Sequence, residues 1–168
     1  ILTSGRHLAL SVLLLTYASG LAAEVSRIEI ERRETLSSEQ TSVRYEALYG
    51  TLYFTLDPAA PGNQMVHDIG LAPVNTDGLV EFSTDFKLLI PDRAIASDAL
   101  LYHVNNRGGS RLPPEISLTH PLTGLGYTYL VTGWINELTP GENRYRLHAP
   151  IVGTAAQPVT GQVRYEII

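Results

Sequence analysis

Apolar and polar residues alternate along much of this chain. Val80, Phe82, Thr84, Phe86, Leu88 and Ile90 alternate with Glu81, Ser83, Asp85 and Lys87, and Pro91-Asp92 follows. A period of two over this length predicts a half-buried strand of the kind found in antiparallel sheets. Pro91-Asp92 supplies its stop. Val25–Ile30 sets Ile28 and Ile30 against Arg27, Glu29 and Glu31. Tyr49–Asp57 sets Leu52, Phe54 and Leu56 against Thr51, Tyr53 and Thr55. Val159, Val163, Tyr165 and Ile167 share a face near the C-terminus and predict one more strand.

Two segments break the alternation. Ala99–Val104 is nearly continuous apolar sequence, bounded by Asp98 and by Asn105-Asn106-Arg107-Gly108-Gly109. Tyr127–Trp134 is similar and follows Gly124-Leu125-Gly126. Such runs are expected of central parallel strands buried on both faces. The gap between them is long enough for a crossover. Its Pro113, Pro114 and Pro121 leave room for only a short helix, over Pro114–Thr119. Asp57–Asn63 and Gly153–Pro158 read as surface loops.

The N-terminal residues carry a different pattern. Arg6-His7 is followed by the apolar run Leu8–Tyr17 and the small-residue stretch Ala18–Ala23. A basic flank, a short apolar core and Gly20-x-Ala22 predict a removable export signal over residues 1–22. The run is short of the roughly 20 residues a membrane span needs. Residues 23–168 then form one domain, periplasmic or secreted, with no stable membrane span once the signal is gone. The chain opens on Ile1, and its last strand signal runs into the final residue. A longer parent chain is therefore expected.

Composition narrows the chemistry. Hydrophobic residues are 44% of the 168, enough for a packed core. The absence of cysteine removes disulfides, thiolate metal sites and cysteine nucleophiles together. The net charge of −5 argues against a nucleic-acid partner. Lys87, the only lysine, follows no glycine run, so no phosphate loop of the G-x-x-x-x-G-K-[ST] type can form. The five His residues show no ligand spacing, so no metal and no cofactor are expected. Gly108-Gly109-Ser110-Arg111-Leu112 begins a G-x-S-x-G nucleophile turn but lacks its last glycine. His103 reads as a core histidine, and Asp57 and Asp85 have no visible carboxylate partner. No catalytic residue is therefore assigned within the chain.

One loop stands apart. Asn105–Gly109 follows an apolar strand directly, where ligands bind in open α/β sheets. Glycine there lets backbone N–H groups face an anion. Asn106, Arg107 and Gly108 are the candidate oxyanion-loop residues. A plain turn with Asn and Gly at positive φ is the competing reading. Trp134, at the end of the next strand, is the candidate pocket residue, with core packing as its alternative.

The blocks Glu81–Pro91, Leu100–Gly108, Gly126–Trp134 and Pro158–Arg164 together resemble the N-terminal part of the secreted bacterial alpha/beta hydrolase domain-containing proteins. The V-N-N-R-G block followed by G-Y-x-x-x-x-x-G-W carries the likeness, which covers about residues 25–168. It implies a β-rich α/β fold, in which N-terminal antiparallel strands lead into the first parallel strands of a truncated α/β-hydrolase-like sheet. It also implies an exported serine hydrolase of the carboxylic-ester type acting on a small-molecule ester. The nucleophile, acid and His of that family lie beyond where this sequence stops, so the chain alone is expected to be inactive. Asn106–Gly108 would stand where esterases carry an oxyanion loop. The short, proline-rich Gly109–Leu125 segment departs from the family. A secreted non-catalytic β-sandwich, acting in binding or assembly, is the rival. Strand direction separates the two: Ala99–Val104 and Tyr127–Trp134 pair parallel in the first and not in the second.

Overall fold

The computed structural model describes residues 23–141 and 143–161. The expected signal segment and most of the predicted C-terminal strand lie outside them. Strands β1 (Glu24–Ser37), β2 (Arg44–Leu56) and β3 (Val80–Pro91) form a long antiparallel meander. β4 (Leu100–His103) leads through helix α1 (Pro113–Ile116) into β5 (Thr128–Thr132), and β6 (Leu147–His148) follows. The sheet order is β1-β2-β3-β5-β4, with β6 paired to β3 below β5. β5 thus lies between β3 and β4, antiparallel to the first and parallel to the second. The described residues make one mixed sheet, and its parallel pair is the one the apolar runs predicted.

The alternation explains both faces. Tyr45 and Ala47 on β2, Leu89 on β3, and Tyr129 and Val131 on β5 point to one side and form the core with Leu112 and Tyr145. The Tyr45 and Tyr129 rings stand 5.9 Å apart. Their hydroxyls donate to the carbonyls of Thr123 (2.9 Å) and Leu122 (2.8 Å), which ties the crossover down onto the sheet. α1 starts on Pro113-Pro114, which suit a first helical turn, and ends at Ser117, whose backbone is extended, so the helix stops short of the expected Thr119. The other face carries Val80, Thr84 and Phe86 as buried residues, and Phe54 stacks on Phe82 at 4.9 Å.

Two expectations need correction. β4 is not buried on both faces. It is the edge of the described sheet, and Leu100, Tyr102 and Val104 are 57%, 47% and 68% exposed. The apolar run reported low polarity, and it could not report which neighbours are present. Val159–Gly161, the described start of the C-terminal segment, is not in a strand. It follows a tight turn that reverses the chain.

The buried tyrosines set an alkaline limit. Burial is the main cause that raises the phenol pKa of Tyr45, Tyr129 and Tyr145, and the Glu115 carboxylate adds to it at Tyr145. Above about pH 10 the unfolded chain ionises these phenols while the native one does not. Stability present below that pH is lost as pH rises through it, by up to about 1.4 kcal/mol per pH unit for each group. Urea midpoints measured from pH 8 to 11 should fall, and the fall should be shallower in Tyr145→Phe.

Candidate functional site

The parallel pairing brings two chain segments together at the carboxyl ends of β4 and β5. One is Asn105–Gly109 and the other is Gly133-Trp134. Asn105 organises both. Its side chain is 2% exposed. Its Nδ2 donates to the Thr132 carbonyl (2.6 Å), and its Oδ1 accepts the Gly108 N–H (2.7 Å). Its own carbonyl accepts the Trp134 indole N–H (2.8 Å). A buried amide with every group answered fixes a loop as a short strand pair would.

The loop is a turn with two successive positive φ angles, 50° at Arg107 and 81° at Gly108. Only glycine suits the second. A Cβ there would sit 2.7 Å from Leu138 Cδ1 and 2.9 Å from the Tyr145 carbonyl oxygen. The Gly108 carbonyl accepts the Tyr145 N–H (2.9 Å), which attaches the loop to the segment before β6.

The three loop candidates therefore differ in availability. Gly108 is buried and its N–H is committed to Asn105. The Gly109 N–H faces the Asn106 carbonyl at 3.4 Å. Asn106 and Arg107 are exposed, and among the described residues their backbone N–H groups meet no acceptor. These two amides and the Arg107 guanidinium are what the loop can offer an anion. Trp134 is 52% exposed at the same end, held by its indole bond rather than packed in the core.

Two further polar groups were not legible as pairs. Asp85 Oδ1 meets His148 Nε2 at 2.7 Å, and Asp85 Oδ2 accepts the Arg146 N–H (2.9 Å). The pair sits beside β5, because the Asp85 carbonyl accepts the Gly133 N–H (3.0 Å). Lys87 is 4% exposed, pairs with Glu115, and lies 4.5 Å from the Tyr49 ring centroid. Glu115 also accepts the Ser110 hydroxyl and the Leu112 N–H (3.2 Å). Ser110 thus donates to a carboxylate already shared with Lys87 and the Leu112 N–H, and among the described residues no His is bonded to it. His103 lies half-buried on β4. Among the described residues no three His, Asp or Glu side chains are grouped as a metal requires, and no helix is long and apolar enough to cross a membrane.

Asn105→Ala removes two buried hydrogen bonds and strands the Gly108 N–H and the Thr132 carbonyl. A loss of about 2 kcal/mol is expected. Urea unfolding followed by the fluorescence of Trp134, the only tryptophan, would measure it.

Compared with family models, with curated proteins and with solved structures, the chain matches none.

Proposed function

We propose that the chain is the N-terminal part of an exported serine hydrolase acting on a small-molecule carboxylic ester. The observation that carries this reading is the position of β5, inserted between β3 and β4 and parallel to β4. That arrangement gathers Asn105–Gly109 and Trp134 at the carboxyl ends of a parallel pair, where α/β enzymes hold their ligands. In the complete protein a serine would attack the ester carbonyl with help from a His and an acid. The Asn106 and Arg107 amides would hold the developing oxyanion, and Trp134 would flank the substrate.

The contrast between the two sheet edges supports the same reading. β1 carries Arg27, Glu29, Glu31, Arg32, Arg33 and Glu34 and two register shifts, which are standard protections of a free edge. β4 carries Leu100, Leu101, Tyr102 and His103, with no carboxylate, Lys or Arg and no bulge. Parallel strands are normally flanked and covered. A sheet that continues past β4 accounts for an edge without protection. The export signal over residues 1–22 gives the proposed periplasmic or secreted destination.

The test compares p-nitrophenyl ester turnover by the 168-residue chain with turnover by the chain extended through its reading frame. The extended chain is expected to turn over and to be labelled on serine by a fluorophosphonate. The 168-residue chain is expected to do neither. Turnover by the short chain that disappears in Ser110→Ala would overturn the proposal.

A further inference from the structure

Asp85 and His148 form an acid–imidazole pair at the same end of the sheet as the Asn105 loop. β3 pairs with β5 from Phe86 to Leu89 and with β6 at Ser83 and Thr84. Asp85 lies between the two, and its carbonyl accepts the Gly133 N–H (3.0 Å). His148 therefore stands just past the carboxyl end of β5, along the line of that strand. Ligands of open α/β sheets bind in this place. The Asn105 loop occupies the equivalent place past β4. Tyr145 connects the two. Its N–H donates to the Gly108 carbonyl (2.9 Å), and His148 follows it after at most about 10 Å of extended chain.

The carboxylate is fixed before the ring meets it. Asp85 Oδ2 accepts the Arg146 N–H (2.9 Å), and the Asp85 N–H donates to the Arg146 carbonyl (3.0 Å). Oδ1 is left for His148 Nε2, at 2.7 Å. An ionised carboxylate only accepts, so Nε2 carries the ring proton and Nδ1 presents its lone pair. Among the described residues Nδ1 meets no partner, and the side chain is 41% exposed. The Arg146 bonds and the Leu147 pairing already tie this segment to β3, so the imidazole is not needed as a clip. A carboxylate that sets the tautomer and direction of an imidazole, with the other nitrogen open, is the arrangement of a general base.

We propose that His148, oriented by Asp85, is the proton-transfer group for ester cleavage at this end of the sheet. The inference rests on the hydrolase reading. The family likeness puts its His and acid beyond Ile168, whereas this pair lies within the chain. Acid–histidine constellations are defined by geometry and role, not by sequence position. As the serine Oγ bonds to the ester carbonyl carbon, its proton passes to His148 Nδ1 and the carbonyl π electrons move to the oxygen. Collapse of that intermediate breaks the bond to the alcohol oxygen, which leaves with the proton from Nδ1. Water then attacks the acyl-serine and gives its proton to Nδ1, and the serine oxygen takes that proton as the carboxylic acid is released. His148 is a catalytic residue in this scheme, and Asp85 is a positioning residue.

Two readouts test the assignment. In the 168-residue chain, nitrogen-15 NMR should find the neutral His148 ring protonated on Nε2. In Asp85→Asn the proton should move to Nδ1. The Asn oxygen must still accept the Arg146 N–H, so its Nδ2 faces the ring and donates where the carboxylate accepted. In the chain extended through its reading frame, His148→Ala should lower kcat for a p-nitrophenyl ester at least about 100-fold. KM should change little, and added imidazole should restore part of the rate. Asp85→Asn should lower kcat with KM held, since it leaves the wrong tautomer. Full turnover by His148→Ala would overturn the proposal and leave the hydrolase reading standing. A wild-type ring protonated on Nδ1 would overturn it as well. No turnover by the extended wild-type chain would overturn the hydrolase reading and the proposal together.

Discussion

Glu115→Ala is expected to destabilise the fold by about 3 kcal/mol, the lower end of the range for breaking a buried ion pair. Lys87 is almost wholly buried on β3 and reaches no other carboxylate among the described residues. Without Glu115 its ammonium keeps only the Tyr49 ring face, 4.5 Å away. The Ser110 hydroxyl and the Leu112 N–H lose their acceptor at the same moment. Glu115 retains some contact with water, its side chain being 19% exposed, which places the cost at the low end. The double variant Lys87→Met/Glu115→Leu removes the charge problem along with the pair. It should regain most of the loss, because apolar replacements of a buried pair are often neutral or stabilising. A double-mutant cycle by urea unfolding reads the coupling. If Glu115→Ala costs less than about 1 kcal/mol, the value of an exposed pair, then the pair is not buried as described.

Gly133→Ala is expected to cost about 3 kcal/mol or more, as overpacking against fixed backbone does. An added Cβ would lie 2.2–2.4 Å from the backbone atoms of Arg146. No side chain can yield there, so β5 and the segment entering β6 must separate. That separation strains the bond from Thr84 Oγ1 to the Gly133 carbonyl (2.6 Å) and the bonds linking Asp85 to Arg146. His148 would lose its fixed place beside Asp85, and Trp134 would be released from the Asn105 carbonyl. Gly124→Ala is the control, since a Cβ there meets nothing within 4 Å. Its effect should fall within about 0.5 kcal/mol. Chemical denaturation of both variants, followed by indole emission, makes the comparison.

β2 and β3 were legible because period-two alternation survives where one face is buried, whereas β1 shows the alternation with Ile28 and Ile30 still 59% and 40% exposed. The β3 segment shows it over its whole length, and the observed strand matches its expected bounds within one residue. The two apolar runs told β4 and β5 apart from the meander, and their parallel pairing follows from the long crossover between them. Burial of β4 was not legible, since an apolar run describes what a strand tolerates and not what covers it. The loop was found through its glycines and Asn residues. Asn105, its organiser, was indistinguishable from Asn106 by residue type, and only its buried position separates them. Asp85–His148 and Lys87–Glu115 join residues far apart in the chain, and single-sequence spacing carries no signal for such pairs.

The proposed function turns on the coding sequence downstream of the parallel pair. The direct measurement is the DNA sequence of the reading frame past the codon for Ile168. An uninterrupted frame that encodes G-x-S-x-G after further strand and helix patterns is the predicted result. A stop codon at that point, or a continuation without a nucleophile turn, would contradict the assignment of this chain to a serine hydrolase.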